Sequence, residues 1–497
     1  MMNAPTNLTP DQYGFCFDHS YSKLPEVLFS RANPKRFNHP SFVIFNVSLA
    51  KTLGLNANVI ESSNWACFSG LEIPVMAYPI AQAYAGHQFG GFNNLGDGRA
   101  VLLGEHILPD ATRVDIQLKG AGQTPYSRSG DGLAGLGPML REYLISEAMH
   151  ALGVPTTRSL AVMLTGEVVY RAQPQSGAVL TRVAASHIRV GTFQYAAAIN
   201  QVDVLKALAD YTINRHYPAI KDHPNPYVAL LDAVINAQAS LITNWMRLGF
   251  IHGVMNTDNM SIAGETIDYG PCAFVNAYSP NTVFSSIDQN GRYAFGNQPK
   301  MGEWNLTRFA ESLLPLLAKD REEAIRIATD RLNLYQTQYR DCWLNAMRNK
   351  LGIFDAAAIN AEPSDLNLVE DLLMLMYKHQ ADFTNTFRQL NNPGQLDEGL
   401  VSDVGFQHWQ TRWKERLAKQ KQTMAEVVEL MNAHNPQVIP RNHLVEEVLE
   451  SAAQGNMTPF HDFLEVLQNP YNLPMNDKYL SGAGSGFDET YQTFCGT

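Results

Sequence analysis

A chain of 497 residues exceeds one ordinary hydrophobic core, so at least two lobes or domains are expected. Its 45% hydrophobic and 17% charged content excludes a disordered chain, and no run approaches the roughly 18 to 20 apolar residues that cross a bilayer, so no membrane association is expected. A formal charge of −11 argues against nucleic acid as a partner, because phosphate-backbone binding selects a basic excess; a nucleotide held by a few placed cations stays compatible with it.

Met1-Met2-Asn3-Ala4-Pro5-Thr6 has neither the basic-then-apolar pattern of a signal peptide nor the Arg-rich amphipathicity of a transit peptide, and a cytoplasmic location is the expectation. Residues 1–75 read as an irregular N-terminal extension with a short helix near Ser48 to Leu53, stopped by Gly54. From residue 76 the character changes. Ala81 to Arg99 is rich in glycine and turn residues and runs straight into the β-like stretch Ala100 to Glu105. Two readings fit that stretch: backbone N–H groups brought close to phosphates, or a hairpin with glycine at positive φ at Asp97-Gly98.

Val114-Asp115-Ile116-Gln117-Leu118-Lys119 alternates as a half-buried strand does and ends on a lysine. A second glycine-studded loop, Gly120 to Gly132, follows, and Pro138 opens a helix predicted over Met139 to Leu152, closed by Gly153. Leu140, Tyr143, Leu144 and Ala148 form its apolar face, with Arg141, Glu142 and Glu147 at polar positions. A strand lysine followed by a helix glutamate is consistent with an ion pair that aims Lys119 at a phosphate; two surface residues are the alternative. Ser159 to Leu164 and Gly177 to Ala184 read as strands, and the second carries Arg182, with Arg189 shortly after. Guanidinium groups suit phosphate through their planar fork of donors.

Beyond Gly191 the pattern is helical: Asp203 to His216, Pro226 to Leu248 ended by Gly249, Leu306 to Ala318, Glu322 to Leu351, Ser364 to Asn385, Asp403 to Asn432 and His443 to Gln454. A helical body over 191–455 and a flexible tail over 456–497 are expected, the tail containing Ser481-Gly482-Ala483-Gly484-Ser485-Gly486. The five cysteines, Cys16, Cys67, Cys272, Cys342 and Cys495, form no CxxC pair, so zinc is not expected. Cys272 and Cys495 are read either as a buried thiol and a tail thiol or as a regulatory pair.

The chemistry concentrates in Gly249 to Ile262, with Asp268-Tyr269-Gly270 beyond it. Asn amide and Asp carboxylate oxygens are hard ligands suited to Mg²⁺ carrying a nucleotide triphosphate, and a second carboxylate beside them can act as a base. In order, the parts are a glycine loop, a strand Lys, a helix Glu, a long helix, an Asn-bearing loop and Asp-x-Gly. That is the order of a protein-kinase-like fold: α+β and two-lobed, with a β-rich N-lobe over 76–190 and a helical C-lobe. Counted from His252, the kinase pattern puts its metal-binding Asn at Asn259 and its Asp-x-Gly at Asp268; the position of its catalytic Asp is Val254.

The wording is more specific than that pattern. Tyr84-Ala85-Gly86-His87-Gln88-Phe89-Gly90, Leu95-Gly96-Asp97-Gly98-Arg99-Ala100, Gln117-Leu118-Lys119-Gly120-Ala121-Gly122, Pro125-Tyr126-Ser127-Arg128 and His252-Gly253-Val254-Met255-Asn256-Thr257-Asp258-Asn259-Met260 closely resemble the selenoprotein O, or YdiU, family over nearly the whole chain. The resemblance implies a pseudokinase that transfers AMP from ATP to protein Ser, Thr or Tyr hydroxyls, with ATP flipped so that its α-phosphate meets the acceptor. Some members are described as using UTP with Mn²⁺. It implies Lys119 on the phosphates with Glu142 orienting it, and Gly96, Gly98, Arg99, Asp131, Gly132, Arg182, Arg189 and Asp268 at the nucleotide. It makes Asp258 the proton acceptor, puts Mg²⁺ or Mn²⁺ on Asn259 and Asp268, and implies a redox-sensitive disulfide between Cys272 and the tail cysteine, Cys495. Partners expected are ATP and acceptor proteins, on a monomer. The rivals are a divergent kinase in which Asp258 replaces the missing base, and a nucleotide-binding, redox-responsive scaffold.

Overall fold

A computed structural model of the chain describes residues 9–354, 362–392, 396–484 and 486–494. Its first part is a mixed region built on an antiparallel sheet of eight strands. These are β1 (Phe17–Asp18), β2 (Phe29–Arg31), β3 (Ser41–Phe45), β4 (Ile80–Gln82), β7 (Ala100–Ile107), β8 (Arg113–Lys119), β9 (Arg158–Tyr170) and β10 (Pro174–Ala184), in the order β2-β4-β7-β8-β10-β9-β3, with β1 beside β7. A separate hairpin, β5 (Ala85–Gln88) and β6 (Gly91–Asn94), projects between β4 and β7. Two short helices, α1 (Val47–Thr52) and α2 (Ala57–Ser62), precede β4, and α3 (Leu136–Ala151) packs on β9 and β10.

Residues 1–75 are therefore not an irregular extension where they are described: β1, β2 and β3 belong to the sheet. β1 and β2 have two and three residues, too short for alternation to register, and β3, Ser41-Phe42-Val43-Ile44-Phe45, is apolar after its first residue and does not alternate. Their burial of Phe17, Phe29 and Ile44 ties them down. The glycine stretch also turns elsewhere than expected. The tight turn is Phe89-Gly90, with φ of 50° and 90°, and Asp97-Gly98 instead forms the bend into β7.

The α3 helix starts two residues before Pro138, which stands in the first turn, where a backbone N–H has no intrahelical acceptor to lose. Its expected polar face is absent: Arg141, Glu142 and Glu147 are all buried, because α14 and α15 cover the side of α3 that faces away from the sheet. Each buried charge is paired, Glu147 with Arg158 at 2.6 Å and Arg141 with Glu446 at 2.9 Å.

The rest is helical: α4 (Val190–Ala198), α5 (Val202–His216), α6 (Pro226–Leu248), α7 (Gln298–Leu317), α8 (Arg321–Lys350), α9 (Glu362–His379), α10 (Phe383–Gln389), α11 (Glu398–Ser402), α12 (Val404–Leu417), α13 (Met424–His434), α14 (Asn442–Ala453), α15 (Thr458–Leu467) and α16 (Phe487–Thr490). Asn225 caps α6 by accepting from the Val228 N–H, and Gly249 ends it in the left-handed region at φ 73°. Two helices read as continuous are split. Gln380 at φ 50° and the cap Asp382 separate α9 from α10, and a Thr423–Glu426 capping box restarts the chain as α13. The tail is not flexible from residue 456 either, since α15 buries Phe460, Phe463 and Leu467 against α3 and α14.

One core joins the α3 face of the sheet to α5, α6, α7, α14 and α15; a second fills the space among α8, α9, α10 and α12; a third lies under the opposite sheet face against α1 and α2. No helix among the described residues is long and apolar enough to cross a membrane.

Candidate active site

The site assembles where the sheet meets the helices. Lys119 is the last residue of β8, paired with Ala100 on β7 and Leu180 on β10. Arg182 stands opposite Gln117 on the neighbouring strand, and strand alternation sends Gln117, Lys119 and Arg182 to the face that α3 covers. There Glu142 receives both cations: Lys119 Nζ donates to Oε2 at 2.6 Å and Arg182 Nε to Oε1 at 2.7 Å.

A two-stranded pair, β11 (Phe250–Ile251) with β12 (Ala273–Phe274), frames the loop delivered by α6. Inside that loop Thr257–Asn259 form one 3₁₀ turn. Buried His252 faces the Ile267 carbonyl oxygen through Nε2 at 2.9 Å, which holds the two ends of the loop together. Asp268 sits at φ 65°, a left-handed conformation that Asp tolerates better than most residues. Its side chain meets three cations. Oδ1 accepts from Lys119 at 2.9 Å and Arg182 at 2.6 Å, and Oδ2 faces Arg189 Nη1 at 3.4 Å. Burial would raise the Asp268 pKa, but Arg182, then Lys119 and Arg189, override it and hold the carboxyl well below its usual range. Three cations thus gather on two carboxylates, Glu142 and Asp268, with Asp97 and Asp258 also close to Arg189.

Asp258 has the opposite surroundings. It is buried, Oδ1 has no hydrogen-bond partner, and Oδ2 is approached by Gln88 Nε2 at 3.5 Å. Burial pushes its pKa up to about 6, only partly offset by its own backbone N–H and by Arg189. Arg189 caps α4, lies over the Tyr84 ring at 4.5 Å and donates to the Asp258 carbonyl oxygen at 2.8 Å. The neighbouring Asn259 donates Nδ2 to the Val254 carbonyl oxygen at 3.0 Å, which leaves the amide oxygen on the opposite side of the group.

Asp258, Asn259, Asp268, Lys119, Arg99, Gly96, Gly98, Asp131, Gly132 and Val254 all line one cavity of about 540 Å³. Arg182, Arg189 and Glu142 stand behind this wall, reaching it through Asp268 and Lys119. Asp131 is half-exposed and held in a fork by Arg171, with contacts of 2.8 and 2.9 Å. Gly132, at φ 70°, lies so close to the Gly122 backbone that no Cβ fits. Cys272 is a buried free thiol whose pKa burial raises to about 11; Cys495 lies outside the described residues, so their pairing does too.

Several residues of the site carried no sequence signal of a role. Asn256 Oδ1 accepts from the Phe89 N–H and from Tyr293, and Thr257 Oγ1 accepts from the His87 N–H, pinning the β5–β6 hairpin over the loop. Tyr84, Gly86 and Gln88 belong to the motif Tyr84 to Gly90, but only the fold reveals that they surround Asp258 and Arg189. Arg171, at the end of a hairpin distant in sequence, had no signal at all.

For a divalent cation the donor set is one carboxylate, Asp268, and one amide oxygen, Asn259. Mg²⁺ is commonly held by one or two carboxylates and otherwise by substrate phosphates and water, so these residues fit a cation that arrives with a nucleotide. Among the described residues no cluster of three or more His, Cys, Asp or Glu could hold a metal without one.

Comparison with known proteins agrees with this chemistry. The family described as protein adenylyltransferase SelO matches residues 14–468. A protein nucleotidyltransferase YdiU of Halalkalibacterium halodurans is 55% identical over 492 residues, covering 98% of this chain and 99% of its own. Proteins of the same name from Anoxybacillus flavithermus and Geobacillus kaustophilus are each 54% identical, covering 97% of this chain and 99% of theirs. The chain belongs to the SelO family of protein adenylyltransferases.

Proposed function

We propose that the protein transfers AMP from ATP to Ser, Thr or Tyr hydroxyls of acceptor proteins. The acceptor oxygen forms a bond to the α-phosphorus, the bond from that phosphorus to the β-phosphate bridging oxygen breaks, pyrophosphate leaves, and the hydroxyl proton passes to Asp258. The observation that carries this reading is the pairing, at one cavity, of an ionisable carboxylate without a donor on Oδ1 with Lys119, Arg182 and Arg189 gathered on Asp268 in its wall. Val254 at the position of the kinase base adds to it.

On this reading the architecture is protein-kinase-like and two-lobed, with β-rich residues 76–190 joined by the strands that precede them, and a helical lobe beyond residue 190. Lys119, Arg182 and Arg189 absorb negative charge on the phosphates once the nucleotide displaces them from Asp268. Glu142 keeps Lys119 in line, and Gly96, Gly98, Arg99, Asp131 and Gly132 contact the nucleotide. Asn259 and Asp268 would hold Mg²⁺, or Mn²⁺, which supplies neutralisation of the phosphate charge when bound. The protein acts as a cytoplasmic monomer, and a disulfide between Cys272 and Cys495 tunes activity.

Incubating the protein and an acceptor with ATP labelled at the α or the γ position tests the reaction. Label from α alone is expected on the acceptor; label from γ alone would establish a kinase, and binding without transfer of either would establish a scaffold. Replacing ATP and Mg²⁺ by UTP and Mn²⁺ in the same assay separates UMP transfer from AMP transfer.

A further inference from the structure

The β5–β6 hairpin stands apart from the main sheet and leans on the loop that carries Asp258. Its register is Ala85 with Asn94, Gly86 with Asn93, His87 with Phe92 and Gln88 with Gly91. Strand β5 is the fastened side: His87 N–H donates to Thr257 Oγ1 at 2.7 Å, Phe89 N–H to Asn256 Oδ1 at 3.1 Å, and Gly86 presses on the Asp258 carboxylate. Strand β6 is the open side. All four of its residues, Gly91-Phe92-Asn93-Asn94, are exposed, and none is charged or proline.

Folded proteins ordinarily protect a sheet edge with lysine, proline, a bulge or a covering element. Among the described residues this edge has no such protection. The Leu95 N–H donates to the Tyr84 carbonyl oxygen, and antiparallel pairs alternate, so the backbone groups of Phe92 and Asn94 point away from β5. At the hairpin tip lies an apolar rim, Phe89, 39% exposed, and Ile287, 50%; Phe92, 46% exposed, packs on His87 on the hairpin face away from Gly86, Gln88 and Asp258. Phe89 and Ile287 also line the cavity that contains Asp258, so the rim is continuous with the place of reaction.

We propose that β6 is the docking strand for the acceptor protein. An extended acceptor segment pairs with the outward backbone of Phe92 and Asn94 and lays an apolar side chain on the rim of Phe89 and Ile287. The occupant is a polypeptide because alternating N–H and C=O groups are matched by another backbone, with side-chain pockets giving the selectivity. A segment added to β6 lies two strand spacings, about 10 Å, from β5. The proposal rests on the AMP-transfer reading and names how its protein substrate is recognised.

The test is a library of peptides with a fixed central Tyr, Ser or Thr and degenerate flanks, assayed with α-labelled ATP on the full chain and on F92P and F89D. The wild type is expected to select apolar residues at one flank of the acceptor. F92P, which removes an outward N–H without touching the β5 ladder, is expected to raise the acceptor KM at least tenfold at unchanged ATP KM, and F89D to erase the apolar preference. Amide exchange with the best peptide bound should slow at Phe92 and Asn94. Label transfer with the same KM and preference in both variants overturns the docking proposal and leaves AMP transfer standing. Slowed exchange at β6 that depends on protein concentration without peptide also overturns it, in favour of a second copy of this chain. Absence of α label from every peptide overturns both readings.

Discussion

Arg182 reaches Asp268 and Glu142 at once, donating to Asp268 Oδ1 at 2.6 Å and to Glu142 Oε1 at 2.7 Å. It is the link between β10, α3 and the Asp-Tyr-Gly segment, and almost none of it meets solvent. Removing one partner from a buried pair leaves an uncompensated charge, a loss of about 3–5 kcal/mol. R182M is expected to lower the urea midpoint accordingly and, on the proposed reading, to lose roughly 10²-fold or more in transfer rate, since a cation that would absorb phosphate charge is lost as well. R182K keeps the charge but not the fork, and is expected to fall between the two in both measurements. Equal stability of R182M and wild type would show that Glu142 and Asp268 do not depend on this link.

Gly86 and Asp258 meet so closely that a methyl group at Gly86 would overlap the carboxylate. The backbone there is not left-handed, so the constraint is space alone. G86A is expected to push the Asp258 side chain off its position, lowering transfer roughly tenfold to a hundredfold while nucleotide affinity changes little. Calorimetry of ATP binding alongside the rate separates the two effects, and a parallel loss of both would mean that the hairpin itself has moved.

How much of this was legible follows from the physics of each part. Lys119, Glu142, Asn259 and Asp268 could be placed together because strand ends, a helix and a loop impose order on the chain, and the order of charged residues is visible. The face of α3 was not legible, since amphipathic periodicity assumes one wet side and α14 and α15 leave none. The position of the hairpin turn was not legible because Asp97-Gly98 is the stronger turn dipeptide, whereas Phe89-Gly90 turns with a bulky residue at positive φ. The contact between Gly86 and Asp258 joins residues 172 positions apart in the sequence, and no local rule reports that.

The last described residues are tied to the site. Thr493 Oγ1 donates to the Pro271 carbonyl oxygen at 2.7 Å and its N–H to Phe284 at 2.7 Å, while Tyr491 donates to Glu446 and receives Arg141 at 3.2 Å. Arg141 in turn holds the Cys272 carbonyl oxygen at 2.7 Å. With its thiol buried and its pKa raised by burial, Cys272 is expected to resist alkylation at neutral pH. Combining T493A with Y491F removes side-chain bonds of about 1 kcal/mol each and should speed Cys272 alkylation roughly tenfold or more, read by mass spectrometry of the labelled peptide. An unchanged rate would mean that the tail does not shield this thiol.

Asp258 makes opposite demands on stability and activity. Its pKa is raised, to about 6 in the folded chain, chiefly by burial, against roughly 4 for an unfolded aspartate. The folded state therefore binds the proton more tightly, and the stability gained from the neutral carboxyl is present at low pH. It is lost as the pH rises from about 4 through about 6, by an amount on the order of 3 kcal/mol. D258N removes the buried charge and is expected to be more stable than wild type at pH 7.5, with the two converging near pH 4. Activity runs the other way, because only the ionised carboxylate accepts the hydroxyl proton. The wild-type kcat/KM should climb with pH through about 6 and then level, and D258N should lose roughly 10²- to 10⁴-fold together with that limb. If D258N keeps a limb at the same pH, another group is the proton acceptor, and Asp258 serves only to shape the cavity.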